Sequence, residues 1–328
     1  MRRGDRGEAV RDLQRRLVRA ELPVGALEHG EFGDRTEDAV RTFQRSRGLT
    51  DDGVCDDVTW SALVEAGWRL GDRLLFLSAP NMRGDDVVEM QTHLARLGFD
   101  CGRIDGICGP DTIEALRDFQ RNSGLPDDGV CGHDTVHALE VLGRQSGSGP
   151  GVVSVREVVR LTTGNRSLSH LRIVIGEFGG YSALARQVVI ALRQRSAAAI
   201  TVSDPDPLAQ ARTANRFSAH AFVGFEAVSE QRSVIHHFAV AEFESAGGRS
   251  LARHIAENAP RELRAEPIER IGMRLPILRE TRMPAVLWRV GPVDRIVELT
   301  PRIAATVVRG VEQWRTDPVD GDSASDGA

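Results

Sequence analysis

Residues 32–44 read Phe32-Gly33-Asp34-Arg35-Thr36-Glu37-Asp38-Ala39-Val40-Arg41-Thr42-Phe43-Gln44. Residues 108–120 answer them with Cys108-Gly109-Pro110-Asp111-Thr112-Ile113-Glu114-Ala115-Leu116-Arg117-Asp118-Phe119-Gln120, an offset of 76. Working outward, Gly7-Glu8-Ala9-Val10-Arg11-Asp12-Leu13-Gln14-Arg15-Arg16-Leu17 returns as Gly84-Asp85-Asp86-Val87-Val88-Glu89-Met90-Gln91-Thr92-His93-Leu94, an offset of 77. Downstream, Gly48-Leu49 and Asp51-Asp52-Gly53-Val54-Cys55 return as Gly124-Leu125 and Asp127-Asp128-Gly129-Val130-Cys131, again at 76. One residue was gained or lost in the loop between the first two blocks. Three ordered matches of this length mark a duplicated unit.

Each unit reads as three short helices. Val10, Leu13 and Leu17 share one helical face, as do Ala39, Val40 and Phe43. Thr36 and Thr112, just after Asp34 and Asp111, are N-cap candidates for the second helix. The Asp-Asp-Gly runs are turn chemistry, and Asp57 or Asp134 can open the third helix. Gln14, Thr36, Gln44, Gln91, Asp105, Thr112 and Gln120 are the polar positions of the repeat motif. Its shared apolar positions are read as core.

Residues 144–151, Arg144-Gln145-Ser146-Gly147-Ser148-Gly149-Pro150-Gly151, have the composition of a flexible linker. Beyond it the pattern changes. Candidate strands Leu171–Gly176, Ala198–Ser203, His220–Glu226, Ser233–Val240 and Pro284–Arg289 alternate with candidate helices Tyr181–Arg195, Pro207–Phe217, Arg249–Asn258 and Pro292–Trp314. That alternation argues for an α/β domain whose central sheet is covered by helices. The expected map is a multidomain chain: all-α repeats at 1–70 and 78–143, linker 144–151, α/β domain 152–315, and a disordered acidic tail 316–328.

Composition narrows the function classes. The chain has 328 residues, 41% hydrophobic and 27% charged, with a formal net charge of −5. A weakly acidic balance gives no concentrated basic face for nucleic acid. Every basic residue except histidine is Arg, which excludes Schiff-base lysine chemistry and the phosphate-loop lysine. Met1-Arg2-Arg3-Gly4-Asp5-Arg6 leads straight into an amphipathic helix, and no stretch of about 18 apolar residues is present. A cytoplasmic location is the expectation, with Cys55, Cys101, Cys108 and Cys131 as reduced thiols.

The Leu-Gln pair, the Gly-x-x-Thr-x-x-Ala-x-x-x-Phe-Gln run and the Gly-Leu-x-x-Asp-Gly-Val run make the repeats resemble tandem peptidoglycan-binding domains of the three-helix type. The family's central Asp-Gly survives as Asp105-Gly106 and is His29-Gly30 in the first unit. Residues 171–314 resemble zinc-dependent N-acetylmuramoyl-L-alanine amidases. The matching runs are Arg212-Thr213-Ala214-Asn215, Ser250-Leu251-Ala252 and Leu278-Arg279-Glu280-Thr281-Arg282-Met283-Pro284-Ala285-Val286-Leu287.

In that family a His ending the first strand, a Glu opening the next helix and a His ending the third strand hold zinc. A Glu ending the last strand is the general base. The resemblance sets Phe178, Tyr181, Glu226 and Arg289 at these four positions. A catalytic zinc needs about three protein ligands and an open fourth position. Phe178 has no lone pair, a free phenol such as that of Tyr181 titrates near about 10, and Arg289 stays protonated. The expectation is no zinc, no cofactor and no hydrolysis, with Glu226 and Arg289 paired and both aromatics filling the vacated pocket. Zinc is expected only if Glu177, His236 or His237 rescues the site. His133 and His137, spaced i,i+4 near Cys131, are a second metal candidate, set against simple exposed histidines.

A degenerate amidase behind two such repeats is similar to an amidase-like regulator of peptidoglycan precursor synthesis in high-GC Gram-positive bacteria. That resemblance implies a partner in the enolpyruvyl transferase that opens the pathway, and a second in the lipid-linked precursor flippase. It also implies a phosphorylated tail, for which Thr316, Ser323 and Ser325 are the candidates, against an inert solvated tail. Peptidoglycan or muropeptides are the ligands implied for the repeats. Two alternatives stay open at this point: an active zinc amidase and a plain peptidoglycan-binding protein.

Overall fold

The computed structural model describes residues 1–24, 29–143, 152–163, 167–229, 231–240, 243–263 and 267–319. The linker 144–151 and most of the tail, with Ser323 and Ser325, lie outside the described residues. Two compact units result, Met1–Val155 and Arg156–Ala328.

The first unit holds both helical repeats: α1 (Glu8–Arg19), α2 (Asp34–Ser46) and α3 (Asp57–Glu65), then α4 (Asp85–Arg96), α5 (Pro110–Asn122) and α6 (His133–Gly143). In the first repeat Val10, Leu13, Leu17, Phe32, Val40, Phe43 and Leu63 form the core. Thr36 and Thr112 are not caps. The cap positions belong to Gly33 and Gly109, and both threonines are buried within the first helical turn. Their hydroxyls accept from the Gln14 and Gln91 amides at 3.1 Å, which takes them away from the helix ends. At the third helix of the first repeat Asp56 is the cap, accepting from Thr59 N–H at 2.7 Å.

The repeat-motif glutamines share one task. Gln44 Nε2 donates to Asp52 Oδ1, the Val54 carbonyl and Thr59 Oγ1, and its Oε1 accepts from Gly53 N–H. Gln120 does the same with Asp128, Val130, Thr135 and Gly129. Gln91 clamps Asp105, Ile107, Thr112 and Gly106. Gln14 clamps Glu31, Thr36 and Gly30. Each buried amide satisfies turn groups that would otherwise lie unpaired in a dry core. These residues hold the fold together.

The boundary falls within α7 (Val152–Thr163), and the second unit continues with β1 (Arg172–Glu177), α8 (Ser182–Gln194), β2 (Ala198–Ser203), α9 (Pro207–Arg216), β3 (Ala221–Ala227), β4 (Ser233–Val240) and β5 (Phe243–Glu244). They are followed by α10 (Ala246–Asn258), β6 (Glu269–Met273), α11 (Pro276–Glu280), β7 (Ala285–Val290) and α12 (Val293–Thr316). The sheet runs β2-β1-β3-β7-β4-β5, with β6 beside β4. Strands β2, β1, β3 and β7 are parallel, and β4 is antiparallel to β7. Alternation sends Ile173, Ile175, Val223, Phe225, Val286 and Trp288 to one face, where they join residues of α8, α10 and α12 in the main core. Helices α9 and α11 pack together, and Gln210 of α9 reaches Gly176 on the other face. Thr316 closes α12, so the helix runs past the expected tail boundary at 315, and Asp317 is tied to α10 through Arg253 at 2.6 Å. No described helix is long and apolar enough to cross a membrane.

Candidate functional site

In a parallel sheet the crevice lies beyond the carboxyl ends of the strands, where the chain order reverses. Here β2 and β3 flank β1 on opposite sides, so the reversal falls between β1 and β3. Register brings Gly176 beside Gly224, Gly224 beside Leu287, and Glu226 beside Arg289. The two glycines are covered by Gln210, Phe222, Leu287 and Phe178, and the charged pair lies further toward the strand ends.

That pair is bidentate. Arg289 Nε donates to Glu226 Oε2 at 2.6 Å and Nη2 donates to Oε1 at 3.2 Å. The guanidinium fork matches both carboxylate oxygens, the strongest arrangement open to these side chains. Both side chains remain partly accessible.

Phe178 follows β1, its N–H bonded to the Phe225 carbonyl at 3.0 Å. Its ring lies 3.3 Å from where a Cβ on Gly224 would stand, so it rests on the crevice floor. Tyr181 does not. It caps α8 and turns into the main core, where its hydroxyl donates to the Val290 carbonyl at 2.7 Å. The expectation that both aromatics fill the pocket is corrected here: Tyr181 finds an apolar site and a buried acceptor on the other side of the sheet. Burial, with Asp294 nearby, pushes its phenol up to about 12. It stays protonated and offers no phenolate.

Glu177 is the residue whose role the sequence concealed. Its buried carboxylate accepts from Gly179 N–H (2.9 Å), Tyr181 N–H (3.4 Å), Ser182 Oγ (2.8 Å) and Ser203 Oγ. Burial opposes ionisation, but these hydrogen bonds outweigh it and hold the acid below the usual carboxylate range. The positive end of α8, a natural anion site, is thus filled from within the chain. A Glu directly before Phe-Gly-Gly and a helix was the available signal.

The histidines do not converge on the crevice. His236 and His237 point to opposite faces, as adjacent strand residues must. His237 Nε2 meets Glu244 at 2.6 Å. Burial, then Arg289 and Arg232, drive His236 down to about 3, so it is neutral at physiological pH. His133 and His137 are exposed on α6, and Cys131 is buried. Among the described residues no group of three His, Cys, Asp or Glu comes together as a metal site. Zinc does not fit these residues: at the positions that the amidase resemblance assigns to its ligands stand a hydrocarbon ring, a phenol turned into the core, and a carboxylate already held by a fixed cation. Thr316 lies at the end of α12, its hydroxyl on the Gln313 carbonyl at 2.8 Å.

Two helical repeats followed by this α/β sheet define an amidase-like protein with peptidoglycan-binding modules. A family model described as a putative peptidoglycan binding domain matches residues 6–63 and 83–139. The chain belongs to the family of the N-acetylmuramoyl-L-alanine amidase CwlM of Mycobacterium tuberculosis. It is 30% identical to that protein over 361 aligned positions, covering 95% of this chain and 87% of the relative. A probable N-acetylmuramoyl-L-alanine amidase of Bacillus licheniformis is 34% identical over 142 positions, a match spanning 38% of this chain and 40% of that protein. Among solved structures, the amidase AmiC2 of Nostoc punctiforme aligns over 44% of this chain and 97% of its own, at 18% identity and a TM-score of 0.37.

Proposed function

We propose that this peptidoglycan-related protein does not hydrolyse its ligand and acts instead through binding, as a regulator of peptidoglycan precursor synthesis. The Glu226–Arg289 pair carries the reading. A general base must take a proton, and a guanidinium has no free lone pair to take one. A metal-bound water needs a dication, and a permanent positive charge beside Glu226 opposes one. In this reading the strand ends lack the means of catalysis.

The competing reading, hydrolysis, is favoured by the names that the relatives carry. The full chain, incubated with purified sacculi and added zinc, is expected to release no stem peptide above buffer. Release that depends on Glu226 would restore the enzyme.

For the regulatory half, the likeness to precursor-synthesis regulators supports a cytoplasmic chain that contacts the enolpyruvyl transferase, with the lipid-linked precursor flippase as a second partner. Peptidoglycan or muropeptides are the ligands that the repeats suit. The transferase is expected to co-purify with the full chain and to change its turnover when the chain is added. A transferase that neither binds nor responds contradicts this half alone.

A further inference from the structure

Between the two repeats, Leu74-Leu75-Phe76-Leu77-Ser78-Ala79-Pro80-Asn81-Met82 carries no charge and is bounded by Arg73 and Arg83. Leu75 is fully buried and exchanges both main-chain bonds with Cys131, at 3.3 and 2.8 Å, as one rung of an antiparallel ladder. Main-chain groups alternate in direction along an extended strand, so those of Leu74 and Phe76 face the other way. Among the described residues nothing pairs with them. Their side chains are also open: Leu74 is 57% exposed, Phe76 42% and Leu77 50%.

The segment is held stiff at both ends. Arg73 Nε donates to the buried Asp86 at 2.6 Å, and its guanidinium stacks 4.5 Å above Trp68. Downstream, Cys108 N–H donates to the Met82 carbonyl at 2.9 Å. A rigid, apolar, unpaired edge is what proteins ordinarily blunt with a charge, and residues 74–77 carry none.

We propose that this edge pairs antiparallel with the same segment of a second copy of the chain. The segment is self-complementary about a two-fold axis through Leu75. Leu74 then faces Phe76 of the second copy and Phe76 faces its Leu74, each pair exchanging both main-chain bonds. Apolar side chains meet apolar side chains. Arg73 falls opposite Leu77, so no like charges oppose each other. The contact is small by the standard of stable interfaces, which makes the association weak and concentration-dependent.

The test is light scattering on the full chain over a concentration series reaching about 200 µM. The average mass is expected to rise from 35.8 kDa toward twice that value. Phe76→Arg replaces the apolar partner of Leu74 by a charge and sets the two introduced guanidiniums diagonally across the two-fold axis, and Phe76→Pro removes an outward N–H without touching the Leu75 bonds. Both are expected to stay at monomer mass with the far-ultraviolet spectrum of the parent. Val297→Arg, which changes an exposed residue of α12, is expected to associate like the parent. A parent that stays monomeric throughout overturns the proposal, as does association that survives both Phe76 variants or is lost with Val297→Arg.

Discussion

Replacing Tyr181 by Glu, the residue type that the amidase family uses at this position, is expected to destabilise the protein by roughly 3–5 kcal/mol and to bind no zinc. The tyrosine is buried in the main core, and its hydroxyl donates to the Val290 carbonyl. A glutamate there would put an unpaired carboxylate in apolar surroundings, facing another acceptor. The pH dependence has a definite sign. Burial raises the folded-state pKa of such a carboxyl above its unfolded value of about 4.3, so the ionisation part of the penalty grows as pH rises from there and vanishes below it, leaving the loss of ring packing at every pH. Urea midpoints of Tyr181→Glu at neutral and acidic pH check this. Tyr181→Phe leaves the Val290 carbonyl its bond from the Val228 N–H at 3.3 Å and should lose only about 0.5–1.5 kcal/mol. A Tyr181→Glu chain as stable as its parent at neutral pH would mean that the side chain lies in the crevice.

The second large effect belongs to the repeats. Gln91→Leu removes the clamp on Asp105 N–H, Gly106 N–H and the Ile107 carbonyl, all held within 3.2 Å. The Ile107 carbonyl keeps the Gly109 N–H at 2.8 Å, and loss of the bonds to the Asp105 and Gly106 N–H groups should cost about 2–4 kcal/mol. Gln91→Glu preserves shape and the accepting oxygen but turns the donor into an acceptor facing the Asp105 carboxylate. It should be no milder than the leucine. Urea midpoints, with exchange of the Gly106 amide, give the readout. Losses under about 0.5 kcal/mol for both would show that water can replace the amide.

Much of this was legible in the sequence because burial writes regular patterns. Ala198–Ser203 and Ser233–Val240 match β2 and β4 residue for residue, and the other candidate strands are displaced by one position. Strand β6, with Glu269 and Arg270 on an exposed edge, has too little apolar signal to stand out. Helix α7 follows directly on the Gly-Ser linker and passes for its continuation, although Glu157 caps α10 through Ser245 Oγ at 2.7 Å. The glutamine clamp left a signal that went unread. A Thr follows the clamped Gly by six positions each time, from 30 to 36, 53 to 59, 106 to 112 and 129 to 135.

At the crevice, the position of Glu226 beside Arg289 follows from strand ends alone, because parallel register fixes neighbours. The direction of Tyr181 does not. It depends on whether the first residue of a helix turns to the crevice or to the core, and that is decided by packing against β7 and α12. In the sequence Glu177 reads only as a spare metal ligand, since its four donors come together only once the loop, α8 and β2 are in place.

Zinc content reads the state of the crevice most directly. After purification without chelator, exposure to zinc and dialysis, mass spectrometry should find less than about 0.1 zinc per chain, because Arg289 occupies the Glu226 carboxylate. About one zinc per chain, retained by the parent and lost in Glu226→Ala, would contradict it.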